Sequence, residues 1–187
     1  MTNTMEPTTL ETAILGGGCF WCLEAVFREV EGVVSVTSGY AGGHVDAPAY
    51  RQVCEGTTGH AEVVKLEFDP AKVSYRDLLE IFFVIHDQTT LNRQGNDIGS
   101  QYRSVIFVND DEQLHVALAL IEELGEARIY PHAIVTRVER SVPFWPAEVE
   151  HHEYYANHSD QPYCQYVVAP KVSKFREKFA SRRRRDS

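Results

Sequence analysis

The chain has 187 residues, of which 43% are hydrophobic and 24% are charged, a balance typical of a globular protein with a sizeable core. The formal net charge of −9 argues against general affinity for nucleic acid or for an anionic membrane. No apolar stretch is long enough to span a bilayer and the N-terminus lacks a signal-peptide pattern, so we expect a cytoplasmic protein.

Hydrophobic periodicity predicts strands and helices in alternation along the chain. After a polar arm at 1–11, a short apolar run ends at three glycines and a helical pattern begins at Cys19, which is typical of a strand that turns sharply into a helix. The predicted strands are 12–15, 33–37, 62–68, 102–108 and 134–140. The predicted helices start at Cys19, after Ser74, at Asp110 or Asp111 and at Pro146, and the last runs to about His158.

The first six elements have the order β-α-β-β-α-β, which predicts an α+β fold with a two-layer, ferredoxin-like (split β-α-β) sandwich. We expect a single catalytic domain over 1–187, with additional helices and an irregular tail at 159–187. The basic run at 182–185 should be solvated and frayed. The connections at 38–60 and 87–101 are longer than the fold requires, and such loops are more often functional than idle.

Four cysteines are too few for a disulfide scaffold, so in a reducing compartment they are reactive, metal-binding or simply buried. Cys19 stands where the first helix begins, and the free amides and dipole of a helix N-terminus stabilise a thiolate. We therefore expect a lowered pKa and a reactive thiol at Cys19. A small buried residue that fills the strand–helix corner is the alternative, and position alone does not choose between the two.

Neighbouring residues favour the reactive reading. Phe20 and Trp21 cannot both face the core with the rest of the helix, so at least one should border an apolar pocket beside Cys19, unless both pack on loops. Glu62 shares a strand face with Val64, Leu66 and Phe68, which places a carboxyl on the core side. Such an acid has either a partner or a raised pKa, and beside a thiol it forms an acid–nucleophile pair. At the end of its strand, Glu62 can also simply reach water.

Cys164 lies in a stretch with no clear helical or strand pattern. A cysteine on a mobile segment can approach another sulfur and form a disulfide with it. An incidental loop thiol is an equal alternative at this point.

Five motifs in order resemble those of the peptide methionine sulfoxide reductase A family, which acts on the S epimer of methionine sulfoxide. The resemblance runs from about residue 12 to about residue 168. The motifs are Gly18-Cys19-Phe20-Trp21, Ser38-Gly39-Tyr40-Ala41-Gly42-Gly43, Thr58-Gly59-His60-Ala61-Glu62, Gln94-Gly95-Asn96-Asp97 and Gln101-Tyr102-Arg103-Ser104.

The resemblance implies a role for each matching residue. Cys19 attacks the sulfoxide sulfur, and Glu62 protonates the sulfoxide oxygen with help from the hydroxyls of Tyr50 and Tyr102. Donors around that oxygen make chemical sense because the oxygen gains protons as it leaves. The substrate-binding residues implied by the resemblance are Phe20 and Trp21, which hold the substrate methyl group, and Asp97, which orders the pocket.

The resemblance also implies how the enzyme is regenerated. The product on Cys19 is a sulfenic acid, which a second thiol converts to a disulfide, and Cys164 matches the cysteine that does this in the family. Thioredoxin is then the reductant, oxidised proteins and peptides are the substrates, and neither a metal nor an organic cofactor is implied.

Two departures from the family pattern stand out: Cys22 where glycine is common, and Gln88 where proline is frequent. We expect Cys164 rather than Cys22 to be the resolving residue, because Cys22 lies one helical turn on and faces inward. Cys22→Ser should then keep thioredoxin-dependent activity. Cys54 has no clear role.

Two other functions are compatible with the sequence. Cys19-Phe20-Trp21-Cys22 also fits a thioredoxin-like disulfide oxidoreductase, for which loss of Cys22 would abolish activity. A zinc module would use Cys19 and Cys22 with two of three histidines, although a solvated helix face explains those histidines better. The histidines are His151, His152 and His158.

Overall fold

A computed structural model describes residues 8–185 of the chain. The strands are β1 (Glu11–Gly17), β2 (Val33–Ala41), β3 (Ala61–Phe68), β4 (Arg93–Gln94), β5 (Asp97–Ile98), β6 (Ser104–Val108), β7 (Arg137–Arg140) and β8 (Phe144–Pro146). The helices are α1 (Phe20–Phe27), α2 (Tyr50–Cys54), α3 (Tyr75–Ile85), α4 (Asp111–Glu126), α5 (Tyr154–Asn157) and α6 (Ala169–Lys178). Short 3₁₀ turns lie at Ser100–Tyr102, Val149–His151 and Ala180–Arg182, and a π-helical turn lies at Cys164–Val168.

The predicted α+β sandwich is confirmed. Its four central strands lie in the order β6-β1-β3-β2 with every neighbour antiparallel, the arrangement of a split β-α-β unit. Two strands extend this sheet: β7 pairs with β6 in parallel, and β8 pairs with β2 antiparallel. The strands β4 and β5 form a separate small hairpin inside the long connection that follows α3.

Alternation along β3 divides the core as predicted. Val64, Leu66 and Phe68 belong to the main core that the helices cover, while Ala61 and Val63 belong to a smaller apolar cluster on the opposite sheet face. Successive strand residues point to opposite faces, so this division also places Glu62 on the helix side of the sheet.

The predicted capping pattern at α3 is also confirmed. The Ser74 hydroxyl accepts a hydrogen bond from the Asp77 amide at 3.0 Å, and the Asp77 carboxylate accepts one from the Ser74 amide at 2.9 Å. This reciprocal pair satisfies amides that the first helical turn leaves free.

The prediction of a helix that starts at Pro146 is wrong. Pro146 instead ends β8, an edge strand whose Trp145 pairs with Tyr40 near the end of β2. The reason is that β2 runs to Ala41, four residues beyond the predicted end at Thr37, and so offers a further edge for pairing. Only a 3₁₀ turn and the four residues of α5 are helical in the remainder of that segment.

The prediction of an irregular C-terminal tail is also wrong. Cys164 starts the π-helical turn that leads directly into α6, and α6 buries Val172 and Phe175 in the main core. The arginine run is solvated as predicted, since Arg183, Arg184 and Arg185 are exposed. It is nevertheless held at two points: Arg182 pairs with Asp77 at 2.8 Å, and the Arg184 amide donates to the Glu29 carbonyl at 2.6 Å.

The predicted N-terminal arm is shorter than expected, because β1 begins at Glu11; residues 1–7 lie outside the described part of the chain. Within residues 8–185, every helix is too short or too polar to cross a membrane.

Candidate active site

The turn between β1 and α1 places Cys19 at the N-cap of α1. Gly18 has a φ of +96°, and a Cβ there would stand 2.6 Å from Cγ of Gln94, so both conformation and space require glycine. Gln94 is fixed in turn by Asp87, whose amide donates to its side-chain oxygen at 2.7 Å and whose carbonyl accepts from its nitrogen at 2.9 Å. The connection at 87–101 therefore braces the turn that carries Cys19.

Glu62 reaches this turn from the start of β3. Its Oε1 accepts a hydrogen bond from the Phe20 amide, the first residue of α1, at 3.2 Å. Its Oε2 is buried and has no hydrogen-bond partner among the described residues. A carboxyl with one oxygen anchored and the other free is suited to donate a proton to a group that enters beside Cys19.

Burial raises the pKa of Glu62 from its ordinary value of 4.5 to about 8. The hydrogen bond from Phe20 opposes this shift, and the nearby charges of Asp97 and Cys22 add to it. Glu62 is 1% exposed, so an ionised carboxylate there loses nearly all of its hydration. The sequence-based expectation of a core-facing acid with a raised pKa is confirmed, and at neutral pH this acid carries a proton.

The expected lowering of the Cys19 pKa is wrong. Burial raises the pKa of the Cys19 thiol well above its ordinary value of 9.0, and the hydrogen bond to Cys22 and the charge of Glu62 raise it further. A hydrogen bond from the Trp21 amide lowers it but is outweighed, since the Phe20 amide is used by Glu62. Cys19 is 7% exposed, so loss of hydration dominates over the helix N-terminus.

Tyr50 and Tyr102 both lie close enough to Glu62 for its charge to affect the pKa of their phenol groups. Burial is the largest cause that raises the pKa of each phenol, and Glu62, Cys19 and Cys54 contribute to both shifts. The Tyr50 hydroxyl also makes a hydrogen bond with the Cys54 thiol. Both phenols therefore stay protonated at neutral pH and are available as donors.

Residues of the segment after β8 pack around Tyr50 and Trp21. The carboxylate of Glu148 accepts hydrogen bonds from the Tyr40 hydroxyl and from the Tyr50 amide, each at 3.3 Å. His151 accepts from the indole of Trp21 at 3.3 Å, and its ring centroid lies 4.2 Å from that of Tyr50. These contacts fix the ring of Tyr50 and the orientation of Trp21.

The two aromatics of the first motif have different surroundings. Phe20 is completely buried, and its ring packs against Tyr40, Tyr50 and His151 with centroid separations of 5.6 to 6.3 Å. Trp21 is half-buried and stacks on Tyr154, with 3.7 Å between centroids and 6° between planes. Trp21 is therefore the less buried of the pair and is covered by residues of the segment after β8.

The C-terminal segment contributes Tyr163 to the same place. Its ring meets Trp21 edge-on at 5.7 Å, and its hydroxyl donates to Oδ2 of Asp97 at 2.7 Å. Asp97, on the short strand β5, thus connects the loop at 87–101 with the segment that carries Cys164.

Three of the four cysteines lie close together in the interior. The thiols of Cys19 and Cys22 make a hydrogen bond, and Cys164 is fully buried within range of the charge of Cys22. Cys54 is exposed at the end of α2. All four are free thiols in this structure.

A family model described as peptide methionine sulfoxide reductase matches residues 11–183. The chain belongs to this family. The peptide methionine sulfoxide reductase MsrA of Ralstonia nicotianae is 58% identical over 181 residues, which cover 95% of each chain. The fold matches the reduced form of Mxr1 from Saccharomyces cerevisiae with a TM-score of 0.78 and 34% identity, over 85% of this chain and 91% of that one. Mxr1 in complex with Trx2 matches with a TM-score of 0.56 and 25% identity, over 82% of this chain and 90% of that one.

Membership of the peptide methionine sulfoxide reductase family confirms the resemblance inferred from the five motifs. It favours the reductase over a thioredoxin-like oxidoreductase as the meaning of the two neighbouring cysteines. For the zinc alternative, the described residues bring together one group of three potential ligands, Glu148, Glu150 and His151, which contains neither Cys19 nor Cys22.

Several residues of this reductase site were missed by sequence reasoning. Glu148, His151, Tyr154 and Tyr163 all come from the segment after β8, which the sequence predicted as a helix followed by a tail. The available signal was compositional: aromatic and ionisable side chains are concentrated between 144 and 166 beyond what a solvated helix face needs. Their contacts with Trp21, Tyr40 and Tyr50, up to 142 positions away in the chain, depend on tertiary packing.

Proposed function

We propose that the protein reduces methionine S-sulfoxide, in proteins, in peptides and as the free amino acid, to methionine. Cys19 is the nucleophile, Glu62 the proton donor, and Tyr50 and Tyr102 the auxiliary donors. The observation that carries this proposal is the protonated Glu62, anchored at the amide beside Cys19 with one oxygen free. A hydrolase would need an ionised base at this point instead.

The reaction uses both the nucleophile and the proton donors of the site. As the Cys19 sulfur attacks the sulfoxide sulfur, the S–O bond weakens and its oxygen acquires negative charge. Glu62 transfers its proton to that oxygen, and the phenols of Tyr50 and Tyr102 hydrogen-bond to it. The hydroxyl then passes from the substrate sulfur to the Cys19 sulfur as the bond between the two sulfurs breaks, so methionine leaves and Cys19 holds a sulfenic acid. The proton that the Cys19 thiol gives up on attack returns Glu62 to its protonated form. Burial of the site strengthens these hydrogen bonds because little water competes for the donors.

The substrate methyl group binds against the apolar ring of Trp21. Phe20 is fully buried beside it in the chain, and the Asp97 carboxylate holds Tyr163, whose ring meets Trp21 edge-on. Since Trp21 is stacked on Tyr154, the thioether displaces part of this aromatic contact as it enters. An apolar, soft binding surface suits a methyl group bound to sulfur.

Regeneration uses Cys164 as the second cysteine and thioredoxin as the source of electrons. Cys164 is buried within range of the charge of Cys22, and the related Mxr1 has been captured with Trx2. We further propose that the whole chain is one catalytic domain that works in the cytoplasm, where thioredoxin keeps protein thiols reduced.

The test is turnover of separated S and R epimers of a methionine sulfoxide peptide by wild type, Cys19→Ser and Cys164→Ser. We expect activity on the S epimer alone and none for Cys19→Ser. Cys164→Ser should release about one methionine per enzyme and then stop cycling with thioredoxin. Activity that survives in Cys19→Ser would refute the mechanism. Circular dichroism of each variant controls for folding.

A further inference from the structure

Cys22 lies in the protein interior in contact with the proposed nucleophile, Cys19. It is 1% exposed, on the buried side of α1, and its thiol accepts a hydrogen bond from that of Cys19. Cys164 is close enough for the charge of Cys22 to raise its pKa, after burial as the larger cause. Cys22 therefore contacts Cys19 directly and lies within electrostatic range of Cys164.

The backbone at the start of α1 permits a disulfide between Cys19 and Cys22. Cys19 is the extended N-cap residue and Cys22 is three residues on, with the Cys22 amide bonded to the Cys19 carbonyl at 3.1 Å. Side chains at this spacing on a helix have Cβ atoms about 5–6 Å apart. A disulfide needs Cβ atoms about 3.5–4.5 Å apart, so Cys19, which as the N-cap residue lies outside the helix proper, has to move about 1–2 Å towards Cys22. The helix does not have to unfold.

The surroundings of Cys22 favour a nucleophile over a residue that only fills space. The hydrogen bond from Cys19 is the largest cause that lowers the pKa of Cys22, followed among the lowering causes by the charge of Lys171 and the hydroxyl of Tyr163. Burial opposes them and is outweighed. A cysteine that merely packs in an apolar core has a raised pKa and no such partners.

Cys164 is poorly placed to act first. It is fully buried in the π-helical turn that continues into α6, and α6 is held by Val172 and Phe175 in the core. Tyr163, bonded to Asp97, precedes it directly and lies at the Cys22 thiol. Of these two cysteines, Cys22 is the one whose thiol makes a hydrogen bond with that of Cys19.

We propose that Cys22 is the first resolving residue, and that the oxidised state passes from Cys19 to Cys22 and then to Cys164. This proposal rests on the function proposed above and adds one residue to it. The Cys22 sulfur attacks the sulfenic sulfur of Cys19, the S–O bond breaks, and water leaves as the Cys19–Cys22 disulfide forms. The Cys164 sulfur then attacks Sγ of Cys22, which releases Cys19 as a thiolate and leaves a Cys22–Cys164 disulfide. Two thiols of thioredoxin reduce that disulfide and are themselves oxidised.

The order of the two transfers follows from charge. While Cys22 is a free thiolate, its charge disfavours a thiolate at Cys164. Once Cys22 is bound in a disulfide, it carries no charge and this obstacle is removed. The first transfer thus removes one of the causes that raise the pKa of Cys164, while burial, the larger cause, remains.

The relay reverses the expectation drawn from sequence for Cys22→Ser. That variant should still release about one methionine per enzyme, because Cys19 and Glu62 are unchanged, but its thioredoxin-driven turnover should fall at least about tenfold. The loss arises because the sulfenic acid at Cys19 has no thiol in contact with it.

The experiment maps sulfur oxidation after one equivalent of S-sulfoxide peptide and no reductant. Wild type, Cys22→Ser and Cys164→Ser are quenched at intervals with acid and an alkylating agent, and disulfides are located by mass spectrometry. Parallel samples contain dimedone, which traps sulfenic acids. We expect a Cys19–Cys22 disulfide in Cys164→Ser with little dimedone adduct, and a lasting adduct at Cys19 in Cys22→Ser. Cys54→Ser is the matched control and should show the wild-type disulfides.

The opposite pattern overturns the relay: a Cys19–Cys164 disulfide formed in Cys22→Ser as fast as in wild type, with a persistent sulfenic acid in Cys164→Ser. Methionine release, measured in the same samples, separates this outcome from failure of the proposed function. A variant that releases methionine is folded and competent, so its disulfide pattern tests the relay alone. Absence of methionine release from wild type would instead refute the reductase itself.

Discussion

Replacing Glu62 by glutamine tests the energetic basis of the site. Burial raises the pKa of Glu62 from 4.5 to about 8, so the folded protein holds this proton more tightly than the unfolded chain does. The folded state is therefore most favoured below pH 4.5, and this advantage is lost as the pH rises towards 8. At about 1.4 kcal/mol per pKa unit, the loss reaches about 3 kcal/mol at pH 7 and about 5 kcal/mol well above pH 8. Glutamine occupies similar space and does not titrate.

The assay is urea unfolding of wild type and Glu62→Gln in reducing buffer at pH 5, 7 and 9. We expect the stability of wild type relative to the variant to fall by about 4 kcal/mol from pH 5 to pH 9, with most of the change below pH 8. Groups other than Glu62 titrate in both proteins and cancel to first order. Glu67→Gln, on the opposite face of the same strand, controls for the loss of one acid and should differ from wild type by no more than about 0.5 kcal/mol. A difference between wild type and Glu62→Gln that is constant with pH would mean that Glu62 reaches water, and the reasoning would fail.

Three further outcomes follow from the same geometry. The single-turnover rate of methionine release, measured by rapid quench, should decline as the pH rises through about 8, because Glu62 loses its proton, and Glu62→Gln should lack this decline. Gly18→Ala should destabilise the protein in urea by at least about 1 kcal/mol, because its φ of +96° strains any other residue and the added Cβ collides with a side chain. Gly125→Ala, in an open helical position, should instead stabilise by about 0.5–1 kcal/mol, and equal effects of the two changes would contradict this account. Tyr163→Phe removes the 2.7 Å hydrogen bond to Asp97 and should lower the free energy of unfolding by about 1 kcal/mol. Amide hydrogen exchange should become faster only near residues 160–166, and unchanged exchange there would show that the bond does not hold this segment in place.

The parts of the fold that sequence predicted are those governed by local pattern. The alternation along β3 placed Glu62 on the core side, and the capping residues placed the start of α3, because both depend on neighbours a few positions away. The helix α6 was missed although a signal was present. Val168, Val172 and Phe175 recur at helical spacing after the π-helical turn and are buried, with Pro170 in the first turn of the helix, where proline is accepted.

The parts that sequence could not supply depend on what surrounds a residue in three dimensions. The helix N-terminus at Cys19 was evident from the chain, whereas the burial that outweighs it was not, so the sign of the pKa shift was predicted wrongly. Likewise, β8 exists because β2 continues to Ala41, and the stack of Tyr154 on Trp21 exists because the segment after β8 returns to α1. No periodicity within that segment encodes its distant partner.

The raised pKa of Cys19 has a consequence for survival of the protein under oxidising conditions. Peroxide reacts with thiolates far faster than with thiols, so a Cys19 that rests as a buried thiol is a poor target for it. The sulfenic acid formed in turnover is the species that can be converted irreversibly to a sulfinic acid. It forms on Cys19, a residue that is only 7% exposed and lies next to the thiol of Cys22. The same burial that slows the resting nucleophile therefore protects a repair enzyme from the oxidants whose damage it reverses.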